Sequence, residues 1–155
     1  MQHLVIKYDP VKQEPFVDPY RAKIWRDDQI VMWSFWTLHT NMWWDPEHAN
    51  QAIAFAPAAA DFADWPGTTP APIGAAPGAS GRDRRGYKAD GGTPNQGSTP
   101  VKYFYNAMVQ WEVTTADGRR EQRRGRLRSR RGDLEGAEVL QSEAVDPEIL
   151  NEPQP

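Results

Sequence analysis

The thirteen residues from Val101 to Val113 restrict the fold of this chain more than any other stretch. Their odd positions are Val101, Tyr103, Tyr105, Ala107, Val109, Trp111 and Val113, all apolar or aromatic. The even positions include Lys102, Asn106, Gln110 and Glu112, and only Phe104 and Met108 break the alternation. A period of two places alternate side chains on opposite faces of a pleated backbone, so this is a long β-strand with one core face. Asp117-Gly118 follows as a hairpin turn, since glycine takes positive φ freely.

The returning strand must accommodate an unusual charge block. Arg119, Arg120, Arg123, Arg124, Arg126, Arg128, Arg130 and Arg131 face a single acid, Glu121, and Leu127 is the only large apolar residue among them. Such a strand reads as an edge or as mostly solvated. From Asp133 to Pro155 the sign reverses, with seven acids and no base. The two blocks can attract one another, or either can serve as a landing surface for a partner. A net charge of −3 is too acidic for a general nucleic-acid binder, although a local basic stripe remains.

Further strands are legible upstream. Leu4–Tyr8 is β-prone and stops at Asp9-Pro10, while Pro15 and Asp18-Pro19 keep the next stretch out of helix. Tyr20–Trp25 alternates, Asp27-Asp28 is its natural turn, and Ile30–Trp36 is apolar on both faces, as a central strand is. Ala52–Phe55 is a short candidate. Val139-Leu140 and Val145–Leu150 supply a weak last strand, which Asp146-Pro147 confines to an edge or end position. Residues 57–100 are rich in Ala, Gly, Pro, Ser and Thr, with Phe62, Trp65, Ile73 and Tyr87 as sparse anchors. They read as an irregular insertion or extended arm, and 151–155 as a tail. The expectation is one all-β domain over 1–155, an antiparallel β-sandwich.

At 155 residues there is room for a single core. The absence of Cys excludes disulfides, a thiol nucleophile and Cys-ligated metal centres. With no apolar run of membrane-spanning length and no signal-like amino terminus, the chain reads as soluble and cytoplasmic, with no membrane partner.

Residues 22–35 (Ala-Lys-Ile-Trp-Arg-Asp-Asp-Gln-Ile-Val-Met-Trp-Ser-Phe), Ile53-Ala54-Phe55, Tyr103–Val113 and the late Asp146-Pro147-Glu148-Ile149 occur in this order. The order resembles the small bacterial β-sandwiches of cupredoxin-like topology, close in architecture to the immunoglobulin-like ones. The resemblance covers the two flanks and skips 57–100. Copper-binding members use two His, a Cys and usually a Met, so the resemblance implies a sandwich without a copper centre, and no cofactor is expected.

Three groups of residues could carry function. His39, Asp45, Glu47 and His48 could converge on a divalent metal if their loop folds back, since imidazole and carboxylate suit zinc or iron. No recognised ligand spacing supports this, and exposed or hydrogen-bonded loop residues are the plainer reading. Trp43, Trp44, Trp65 and Tyr87 could form an interaction surface, for a protein or by stacking on sugars and bases. The alternative is that Trp25, Trp33 and Trp111 form the core and the others plug its open end. The arginines could grip phosphate, with Arg124, Arg126, Arg128 and Arg130 as a ladder on one strand face, or simply solvate an edge strand. Catalytic signatures are missing: there is no phosphate loop, Ser34 lacks nucleophile-elbow glycines, and Asp27-Asp28 sits in a turn. The sequence therefore favours a non-enzymatic sandwich that works through protein–protein surfaces, as part of an oligomer or with a separate partner. A nucleic-acid module built on 119–131 is the runner-up, and a carbohydrate or metal module at 39–48 the third reading.

Overall fold

The computed structural model describes residues 1–36, 41–56, 62–77, 81–129 and 147–153. Its spine is β9 (Val101–Thr114), in which Tyr103, Tyr105, Ala107, Val109 and Val113 are buried, as the alternation predicts. This strand is paired along its whole length. Antiparallel to it run β12 (Glu148–Asn151) at Val101–Phe104, β6 (Ile53–Phe55) at Tyr105–Ala107, β5 (Met42–Trp44) at Val109–Trp111 and β10 (Arg120–Arg126) at Met108–Thr114. β3 (Arg21–Ile24) extends this sheet by pairing with β12.

A second sheet covers its inner face, in the order β11-β2-β1-β4-β8-β7. These strands are β11 (Arg128–Ser129), β2 (Glu14–Asp18), β1 (Gln2–Asp9), β4 (Ile30–Phe35), β8 (Tyr87–Asp90) and β7 (Ala71–Pro72). Leu4, Ile6, Val31, Trp33 and Tyr87 from this sheet meet Ile24, Met42, Trp44, Ile53, Tyr105 and Ile149 from the other. Rings knit the interior edge to face: Trp33 to Tyr105 at 5.3 Å, Trp44 to Phe35 at 4.6 Å and Trp44 to Tyr87 at 4.8 Å. Such pairs add roughly 0.5–1.5 kcal/mol each beyond the area they bury.

The protein is thus an all-β sandwich, but its sheets are mixed rather than wholly antiparallel. β1 pairs parallel to β4, β2 to β11, and β3 to β12. Alternation fixes which face a residue takes and is blind to strand direction. Parallel neighbours require long crossovers, and here the chain visits other strands before each return.

Three boundaries differ from the sequence expectation. Residues 57–100 are not irregular throughout, because β8 pairs with β4 through Trp33↔Tyr87 and Val31↔Ala89, with Tyr87 and Ala89 buried and Lys88 exposed. Four residues of alternation suffice for a strand once a neighbouring edge supplies hydrogen bonds. The last strand is central rather than peripheral: β12 lies between β9 and β3 and all four of its residues are buried. Pro147 immediately precedes it, so the missing N–H falls outside the ladder. Nor are residues 151–153 a tail. Asn151 is buried within β12, Pro153 bridges to Asn95, and Asn95 Nδ2 donates to the Asn151 carbonyl at 3.0 Å. Val139-Leu140 lies outside the described residues. A further strand that prolines concealed, β2, carries Pro15 opposite Tyr8.

Candidate functional site

The arginine block begins at a tight turn. Thr115 N donates to the Arg119 carbonyl at 2.8 Å and Gly118 N to the Thr115 carbonyl at 3.0 Å, with Gly118 at φ +83°. At the far end of β10, Leu127 N donates to the Ala107 carbonyl at 2.7 Å. These two bonds set the register, so odd residues from 119 to 127 turn their backbone groups toward β9. The backbone N–H and C=O of Arg120, Gln122, Arg124 and Arg126 therefore point the other way. No strand lies beyond them among the described residues, so β10 is an edge strand of the described sheet. Its residues are exposed except Gly125, as the charge block predicts.

The even side chains share the outer face of the sheet with Gln110 and Glu112. Gln110 links the strands, accepting from Trp43 Nε1 at 3.0 Å and donating to Gln122 Oε1 at 3.1 Å. Several of the arginines have partners within the chain. Arg119 pairs with Asp117 at 2.8 Å and Arg123 with Glu121 at 3.9 Å. Arg124 reaches the Glu47 carboxylate, which raises the guanidinium pKa further, and lies 3.9 Å from Asp45 Oδ2. Arg126 donates to Asn106 Oδ1 at 3.3 Å and lies over the Phe104 ring at 5.8 Å. The Arg120 guanidinium has no ion pair or hydrogen bond among the described residues.

The expected ladder Arg124, Arg126, Arg128, Arg130 does not form as one strand face. Leu127 turns into the core at 1% exposure, and Arg128 begins β11 in the opposite sheet, parallel to β2. A single buried leucine moves the chain between layers. The outer-face row is Arg120, Arg124 and Arg126, whereas Arg130 and Arg131 lie outside the described residues.

The 45–48 cluster is built as a cap. Asp45 is 1% exposed, and its Oδ1 accepts from Glu47 N at 3.0 Å to start the 3₁₀ turn Pro46–His48. Its Oδ2 lies 3.4 Å from His48 Nδ1. Glu47 turns to Arg124, and His39 lies outside the described residues. No three His, Asp or Glu side chains among the described residues stand close enough to share a metal ion.

None of the four aromatics expected at a surface is open to solvent: two lie in the core, one is covered on the outer face and one is half-buried. Tyr87 is fully buried, and its hydroxyl accepts from Ala52 N at 3.1 Å. Trp44 is core, with its Nε1 donating to the Arg85 carbonyl at 2.6 Å. Arg85 is held by Asp83: burial alone would raise that carboxyl, but the hydrogen bonds and charge of Arg85 outweigh it and lower the pKa below 3.8. Trp43 is on the outer face, yet Arg82 lies over its ring at 4.3 Å and leaves it 2% exposed. Trp65 is half-buried, stacked on Phe55 at 4.1 Å. The exposed indoles are instead Trp25 and Trp36, at 42% and 40%, each beneath a cation from Arg26 or Lys7. Trp25, which the alternative reading placed in the core, is exposed because Ala22 and Ile24 take the buried face of β3 and the next residue turns the other way.

No family model, curated protein or solved structure matches this chain. The site must be read from its own groups.

A cleft of about 400 Å³ opens beside the start of β10, lined among others by Tyr8, Gln13, Asn41, Arg82, Glu112 and Arg120. Gln13 anchors its floor from a left-handed conformation, φ +53°: its carbonyl accepts from Trp111 Nε1 at 2.9 Å and its Oε1 from Thr114 N at 3.2 Å. Sequence reasoning did not find this cleft. Its lining comes from five separate segments, and only the unusual φ at a non-glycine hairpin residue marks it locally.

Proposed function

We propose that this protein is a non-enzymatic interaction module whose β10 edge receives an extended, acidic segment of a protein partner as an added strand. The observation that supports the reading is this edge of the described sheet, with the backbone groups of Arg120, Gln122 and Arg124 turned outward. Strand addition draws affinity from such main-chain bonds and specificity from alternate side chains. Arginines at 120, 124 and 126 recur at multiples of about 6.8 Å along the edge, matching acids at alternate positions of a docked strand.

The same arginines disfavour pairing of two β10 edges with each other. Edge-to-edge association of two copies would set guanidinium against guanidinium, and like charges directly opposite destabilise a strand pair. An acidic partner relieves that repulsion. Nucleic acid fits less well, because a phosphate backbone has no strand to pair with the outward N–H and C=O groups of Arg120, Gln122 and Arg124. No helix among the described residues is long and apolar enough to cross a membrane.

The test is a titration with a labelled peptide that alternates Glu with Val, alongside a duplex DNA. Gln122→Pro removes one outward N–H and leaves the β9 ladder intact. The expected result is saturable peptide binding that Gln122→Pro weakens at least tenfold and that a Lys-for-Glu peptide does not reproduce. DNA binding that is tighter than peptide binding and indifferent to Gln122→Pro would replace this reading with the phosphate one. The native mass of the purified protein, with its absorbance ratio at 260 and 280 nm, reports whether a partner or nucleic acid is retained.

A further inference from the structure

We infer that Gly125 marks a notch on β10 that takes one leucine-sized apolar side chain of the docked segment and so fixes its register. This rests on the strand-addition reading and adds to it the position that selects the partner. Three features carry the inference.

The first is that the chain itself has no use for a glycine here. Glycine inside a strand weakens it, because it loses more conformational freedom on folding and packs no side chain. Gly125 pairs with Val109 within the β9–β10 ladder, and its φ lies outside the left-handed region that favours glycine. A Cβ at this place would meet only the Trp111 ring, at 3.6 and 3.9 Å, which is ordinary van der Waals contact. Among the described residues, then, an alanine fits. Gly67 is the contrast, since a Cβ there would fall 1.6 Å from the Asp90 carbonyl oxygen.

The second feature is backbone geometry. Odd residues of β10 turn their N–H and C=O toward β9. Toward an added antiparallel strand, Gly125 is therefore a non-hydrogen-bonded position between the outward groups of Arg124 and Arg126. Opposed residues come closest at such positions, with Cα atoms about 4.5 Å apart. A missing Cβ leaves room for the side chain that arrives opposite it. The third feature is what that side chain meets. Gly125 shares the inner face of the sheet with the half-buried Trp111, whose Nε1 bond to the Gln13 carbonyl at 2.9 Å fixes the indole. Leu127 follows on the same face at 1% exposure, whereas Glu121 and Arg123 present charge at the two positions before. An apolar side chain opposite Gly125 thus packs against the tip of the Trp111 ring. Its two neighbours fall opposite Arg124 and Arg126 on the outer face, where acids suit them. The pattern selected is acid, apolar, acid.

The experiment uses a labelled peptide that alternates Glu with Thr and carries one central Leu in place of Thr, beside the same peptide with Ala there. Both are titrated into wild type and Gly125→Val, with circular dichroism to check the fold. Wild type is expected to favour the Leu peptide about tenfold, the worth of a half-buried leucine. Gly125→Val should bring that preference below about twofold while binding the Ala peptide as wild type does. Gly125→Ala is the second arm: with no need for glycine inside the chain, Tm should rise by about 1–4 °C. An equal Leu preference in wild type and Gly125→Val would overturn the notch and leave strand addition standing. A fall in Tm for Gly125→Ala would show that the fold itself requires the glycine, and it too would overturn the notch alone. If neither peptide binds wild type, strand addition falls and the notch falls with it.

Discussion

Tyr105→Phe gives the sharpest test of the core. The Tyr105 hydroxyl is fully buried and faces the Trp33 indole nitrogen, yet neither atom reaches hydrogen-bond geometry. A buried polar group without a partner costs about 1–3 kcal/mol relative to a solvated one. Removing the oxygen leaves a void of roughly 10–15 Å³, worth about 0.3 kcal/mol at the usual cavity coefficient. The variant should therefore gain about 1 kcal/mol in urea unfolding at neutral pH with an unchanged m value, or about 2–4 °C in Tm. Alkaline pH supplies a second arm. Burial pushes the Tyr105 phenol above its ordinary value of 10.0, and burial also raises Tyr87 and Tyr103. The unfolded chain thus releases these protons at lower pH than the folded one, so stability is complete below pH 10 and declines as pH rises beyond it. Tyr105→Phe should flatten that decline. A loss of more than about 0.5 kcal/mol at neutral pH would mean that the hydroxyl is satisfied, and the argument would fail.

Other outcomes follow from single contacts. Asn95→Ala removes donations to the Thr99 carbonyl at 2.8 Å and the Asn151 carbonyl at 3.0 Å and an acceptor for Gly97 N. It should destabilise by about 2–3 kcal/mol in denaturant titration, and amide exchange should quicken at β12. Asp45→Ala deletes the cap on Glu47 N and should cost about 1–2 kcal/mol, with Asp45→Asn retaining much of the loss-free behaviour because its amide oxygen still caps. Gly67→Ala would place a Cβ 1.6 Å from the Asp90 carbonyl oxygen, so thermal unfolding should reveal a loss above about 2 kcal/mol.

What could be read along the chain was whatever depends on near neighbours. The alternation of Val101–Val113 specified a strand and its buried face, Asp117-Gly118 its turn, and the arginine density its place at an edge. Strand direction, the crossing at Leu127 and the central seat of Glu148–Asn151 were decided by tertiary packing, since pairing partners lie many residues apart and leave no local period. Tryptophan behaved in the same way. Composition announced that seven indoles needed placing, but whether Trp43 met solvent depended on Arg82 closing over it from another segment. Exposure is set by what covers a side chain, and a covering group reached through the fold cannot be seen from the residue's own neighbours.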